Sequence, residues 1–224
     1  MKTKILAFAA IAILFASCES ELSSDVNQDR IFTKYILVYE SEQDVTYARA
    51  WFNFGKETGT PLELDDPSFV TFNDKDLDFQ RTFAFYEDRL SGFVSSGTFH
   101  WEDFEGKEFN NSIEITEVAF PNDLTEINGS QSFELFWEGK ALGDDEYVAV
   151  VINGDFEGDL SGIIEDGKGS TSIVIPKTNL ENLPKNQEAS FWLEFGYNPE
   201  LSQKTGAGGK IFGKYRVKKD IMIR

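Results

Sequence analysis

Apolar and polar residues alternate with period two through most of the chain after residue 30, punctuated by Gly, Asn, Asp and Pro. That pattern predicts half-buried strands separated by turns. In the first half the strands are Ile31–Glu40, Val45–Phe54, Phe79–Tyr86, Gly97–Asp103 and Ser112–Val118. In the second they are Gln131–Glu138, Glu146–Asn153, Gly169–Pro176, Ala189–Tyr197 and Lys210–Ile223. No stretch keeps a helical period. Only 178–184 reads as a helical turn, with Thr178 or Asn179 able to cap it and Pro184 to stop it.

The alternation also assigns faces. In Val45–Phe54, Ala48, Ala50, Phe52 and Phe54 share the inward parity, leaving Tyr47, Arg49, Trp51 and Asn53 outside. Phe191, Leu193, Phe195 and Tyr197 point inward, and Trp192 and Glu194 outward. In the last strand Ile211, Gly213, Tyr215 and Val217 oppose Lys214, Arg216 and Lys218. Trp101 and Trp137 fall on core faces.

Strands recurring every 10 to 20 residues suit an all-β protein of sandwich type rather than a βαβ sheet. A strand ends at the Phe120-Pro121-Asn122-Asp123 break. The expected organisation is therefore two tandem immunoglobulin-like β-sandwich domains, 30–121 and 122–224.

The N-terminus follows a different pattern. Lys2 and Lys4 precede an apolar run, Ile5 to Phe15. It has the length of a signal-peptide core and is well short of the ~20 residues of a membrane span. The following Leu14-Phe15-Ala16-Ser17-Cys18 resembles the bacterial lipobox. The resemblance implies cleavage of 1–17, lipidation of Cys18 and stable anchoring by two or more acyl chains. Residues 18–29 then form a lipidated cysteine and an acidic, unpatterned segment that reads as a disordered tether.

Cys18 is the one cysteine, so no intramolecular disulfide is possible. Losing Lys2 and Lys4 with the leader takes the formal charge from −18 to −20. Such a chain has no electrostatic basis for binding nucleic acid. Acidity is uneven: 8 basic residues face 22 acidic ones in Glu19–Pro121, and 11 face 17 in Asn122–Arg224.

Three further segments carry a resemblance: Thr46-Tyr47-Ala48-Arg49-Ala50, Gly59-Thr60-Pro61-Leu62-Glu63-Leu64 and Phe136-Trp137-Glu138-Gly139-Lys140-Ala141-Leu142. With the leader, they resemble uncharacterised lipoproteins of Bacteroidota. The likeness implies an envelope protein, anchored by lipid in the outer membrane on its periplasmic or surface face. It carries no catalytic residues to transfer.

Candidate chemistry is sparse. His100 is the one histidine, and alternation turns it outward beside Glu102, away from any Ser/His or zinc constellation. The Gly206–Lys210 stretch lacks the P-loop spacing and its Ser/Thr, and reads as a mobile hairpin loop. Asp74, Asp76 and Asp78, and likewise Asp155, Glu157 and Asp159, have alternate carboxylates that could wrap calcium, but neither is an EF-hand. No cofactor, metal or catalytic residue is therefore expected. A hydrolase using two carboxylates is the third reading, since only separation in space defines such a pair.

What remains is a candidate ligand surface: Tyr47, Arg49, Trp51, Trp192, Lys214 and Arg216. Outward aromatics beside cations can stack on a glycan or a peptide. The alternative is an internal ladder, with Glu194 paired to a cation and an aliphatic stem over Trp192. The functional expectation is a non-catalytic, lipid-anchored protein with a binding or structural role, accessory to an outer-membrane assembly. Glycan capture, as in polysaccharide uptake, is the competing expectation.

Overall fold

The computed structural model describes residues 20–156 and 162–224. The leader, Cys18 and part of the second acidic stretch, Glu157 and Asp159, lie outside them. In chain order the strands are β1 (Glu21–Leu22), β2 (Ile31–Glu40), β3 (Val45–Phe54), β4 (Leu62–Glu63), β5 (Phe69–Phe72), β6 (Lys75–Asp76), β7 (Asp78–Gln80), β8 (Phe85–Ser91) and β9 (Ser96–Glu102). They continue with β10 (Glu108–Glu114), β11 (Glu126–Ile127), β12 (Phe133–Phe136), β13 (Glu146–Ile152), β14 (Ile163–Glu165), β15 (Ser172–Ile175), β16 (Gln187–Tyr197) and β17 (Gly209–Ile223). A short helix α1 spans Lys177–Leu180. The protein is all-β, as its alternation requires.

One long sheet organises the chain, in the order β14-β13-β16-β17-β2-β3-β8-β7, with β11 joining the far end of β17. Neighbours along this order are antiparallel except β17 and β2, which run parallel with Gly209 beside Thr33 and Arg216 beside Glu40. A smaller sheet, β10-β9-β5-β6, covers one half of the long sheet. Between them lie Tyr35, Leu37, Phe52, Phe72, Phe99 and Trp101. The pair β12-β15 and α1 cover the other half over Leu135, Val148, Ile173, Leu180, Phe191 and Leu193. Tyr215 packs against both clusters.

The expected boundary at 121/122 is therefore crossed by hydrogen bonds. β17, from the end of the chain, is inserted between β16 and β2. The halves share a sheet rather than forming separate sandwiches. Sequence alternation assigns each strand a face but says nothing about which strand is its neighbour.

Three local expectations change. Residues 20–29 are packed, not a disordered tether. Glu21–Leu22 pairs with Leu62–Glu63, and Ser23 and Gln28 are buried. The Ser23 hydroxyl and the Ser24 N–H both donate to Asp65 Oδ1, at 2.9 and 3.0 Å. Gln28 Nε2 donates to the carbonyls of Ser23 and Val26. A segment rich in charge can dock when each buried polar group finds a partner.

The 206–210 loop is likewise tied down. The Gly206 and Ala207 N–H groups donate to Asp29, one to its side chain and one to its carbonyl. The expected strand Phe79–Tyr86 is a turn between two strands: the Phe83 and Ala84 N–H groups both donate to the Gln80 carbonyl, and Ala84 has φ +52°. No Gly, Pro or Asn marks that reversal.

Candidate ligand-binding face

The long sheet has one face against the two cores and a second face pointing away from them. All six candidate residues lie on that second face. Strand parity puts them there: Tyr47, Arg49 and Trp51 alternate with the buried Ala48, Ala50 and Phe52, and Lys214 and Arg216 alternate with core-facing Tyr215. Register then brings them together across four adjacent strands, with Trp192 on β16 opposite Lys218 and Lys214 on β17 beside Val38, which is opposite Tyr47. Two strand spacings separate Lys214 from Tyr47, about 10 Å.

They form two groups of different character. The first is a buried charge network. Glu194 is 1 % exposed and Lys214 2 %. Glu194 Oε1 accepts from the Tyr147 hydroxyl at 2.6 Å and lies 3.4 Å from Lys214 Nζ. Its Oε2 accepts from Arg216 Nε at 2.5 Å, and Arg216 Nη1 donates to Glu40 at 2.8 Å. Gly196 is required beneath Tyr147, because a Cβ there would sit 2.0 Å from the ring.

Burial opposes the charge on Arg216, but Glu194 and Glu40 outweigh it and hold the guanidinium above its usual pKa. For Glu40 the balance falls the other way: burial outweighs Arg216 and raises its carboxyl. Both directions reflect a site starved of water. Trp192 is half-buried with Lys218 Nζ 5.8 Å from its ring. Lys214, Arg216 and Trp192 therefore form the internal ladder and offer a ligand little free surface.

The second group is open. Tyr47 is itself buried beneath two guanidinium groups, with Arg49 at 4.5 Å and Arg89 at 5.5 Å from its ring, and its hydroxyl donates to Gln43. Both arginines direct Nε–H at Glu87, at 2.7 and 2.8 Å. Glu87 strengthens the charge on Arg89 by hydrogen bond and by proximity. Beside this pair runs a row of rings. Trp51 lies 5.0 Å from Phe85, and Phe85 lies 5.9 Å from Phe83 at an interplanar angle of 24°. Lys34 Nζ is 5.3 Å from Trp51, and Arg49 is 5.6 Å from Phe85. Phe83 is 70 % exposed, the most exposed of the large apolar side chains described.

Thus Arg49 and Trp51 sit in an accessible patch, and Tyr47 supports it from below. Phe83, Phe85, Glu87 and Arg89 complete the patch and were not among the sequence candidates. Their signal is the shared parity of 83, 85, 87 and 89, visible once a strand is allowed to run on to Ser91.

Elsewhere, buried carboxylates have structural partners. Asp103 Oδ1 accepts the N–H groups of Glu105 and Lys107. Glu146 accepts from Lys140 and from the Gly143 N–H. Among the described residues no group of three His, Cys, Asp or Glu side chains is placed to hold a metal. His100 Nδ1 is 3.0 Å from Asn110 Oδ1 in an exposed pair. A groove of about 500 Å³, lined by Thr98, Asn111, Ser112, Tyr197 and Ser202 among others, contains none of the six candidates. In comparisons with known proteins, no family model matches the chain and no curated protein gives a significant match.

Proposed function

We propose that this chain is a non-catalytic binding protein of the cell envelope, held by lipid at Cys18 and working through the outer face of its long sheet. The anchor is supported by the leader and the lipobox-like Leu14–Cys18. The binding role is supported by one observation above others. The row Phe83, Phe85 and Trp51 is partly open to water and flanked by guanidinium groups, on the face that no second layer among the described residues covers. Aromatic side chains on a polar rim favour recognition of a partner, and their exposure is a cost to a solvated fold.

The test is retention on envelope fragments. Purified wild-type protein is expected to bind them saturably, while Phe83→Ala and Trp51→Ala lose most of that binding, Phe83→Ala with unchanged melting temperature. Equal retention of all three proteins would contradict the reading. The anchor is checked separately by palmitate labelling, expected for wild type and absent for Cys18→Ala.

A further inference from the structure

We propose that the ligand of this face is an acidic oligosaccharide, with sugar rings laid along the row Phe83, Phe85 and Trp51 and a carboxylate held by Arg49 and Arg89. This rests on the binding role proposed above and names its chemistry. Glu87 takes the Nε–H of each arginine, and their Nη edges make no hydrogen bond among the described residues. One carboxylate therefore fixes two guanidinium groups and neutralises only one of them. The arrangement leaves a positive fork on a chain whose formal charge is −18. Guanidinium edges match carboxylates in a bidentate geometry that a lysine cannot supply.

The rings decide the rest of the ligand. Phe85 stacks on one face of Phe83, so the 70 % exposure of Phe83 leaves its other face to water. A row of rings that leads from Phe83 through Phe85 to a positive fork suits an extended molecule with flat, partly apolar units and anionic edges. A uronic-acid ring has an apolar C–H face and a carboxylate at its edge. Polyglutamate has carboxylates but no such face, and would use only the arginines. The acidity of the whole body repels any anion at long range, so the fork acts at contact, within a Debye length of about 8 Å at physiological salt.

Isothermal titration of the full lipidated protein in detergent distinguishes these ligands. The probes are oligogalacturonate, a neutral maltooligosaccharide and polyglutamate. Oligogalacturonate is expected to bind at least about tenfold more tightly than either of the others. Phe83→Ala is expected to weaken it by about three- to tenfold. Arg89→Gln is expected to remove the preference over the neutral sugar. Both side chains are well exposed, at 70 % and 69 %, so neither change should unfold the protein.

Equal binding of the neutral sugar, tighter binding of polyglutamate, or indifference to Phe83→Ala would each overturn the assignment. Absence of oligogalacturonate binding while envelope retention still depends on Phe83 would overturn the saccharide and leave the binding face standing. Loss of both would overturn both.

Discussion

Glu194 shows how one side chain settles the use of several others. It accepts from Tyr147 and Arg216 and lies beside Lys214, in a site that water hardly reaches. Breaking such a network by removing one charge is costly, because the remaining charges stay buried. Glu194→Gln is expected to destabilise the fold by about 3 kcal/mol in urea unfolding. A change under 1 kcal/mol would show that the network is better solvated than its burial implies. Tyr35 makes the opposite case. It is fully buried and its hydroxyl finds no partner in good hydrogen-bond geometry among the described residues, Thr33 being only near it, so Tyr35→Phe removes mainly a desolvation cost. It is expected to be neutral or stabilising by about 1 kcal/mol in the same assay. Parity made the outward direction of Trp192, Lys214 and Arg216 legible in the sequence. The burial of Lys214 and Arg216 was not legible, because Glu40 and Tyr147 join the network from strands far away in the chain.

At the scale of elements, the N-terminal segment depends on one carboxylate. Burial alone would raise the Asp65 pKa, but hydrogen bonds from Ser24 and Ser23 prevail and lower it. A lowered folded pKa gives stability that is present above the unfolded value, about 3.9, and lost as pH falls through the folded one. Residues 20–29 are therefore expected to stay protected from amide exchange at neutral pH and to lose protection below that range, or at pH 7 in Asp65→Ala. Protection that persists in Asp65→Ala would place the docking elsewhere, in the pairing of Glu21–Leu22 with Leu62–Glu63.

The long strands β2, β3, β16 and β17 were readable from alternation because each packs one face on a core. The docked segment was not, since its buried groups, Ser23 and Gln28, are polar and Ser23 finds its partner at Asp65, 42 residues on. The turn after Gln80 was missed for a related reason. Phe79, Phe83 and Phe85 keep one parity across a reversal that the chain makes without Gly, Pro or Asn, and Arg81 alone interrupts it.

For the molecule as a whole, the insertion of β17 between β16 and β2 makes the two halves interdependent. A fragment ending at residue 121 would leave the central edge of β2 unpaired and the Tyr215 side of its core open. It is expected to remain unfolded by circular dichroism, while the full chain unfolds in a single transition. Two separated calorimetric transitions would point to independent halves. The same insertion aligns the outer faces of β16, β17, β2 and β3, and so sets the closed charge network beside the open aromatic row.

The proposed binding role requires that row to be a contact surface in the envelope. A photo-crosslinking residue placed at Phe83 in living cells, compared with one at Val174, tests it most directly. Val174 is also exposed but lies on β15, in the layer on the opposite side of the core. Position 83 is expected to capture a discrete envelope component, and position 174 nothing above background. Equal labelling from the two positions, or none from position 83, would contradict the account.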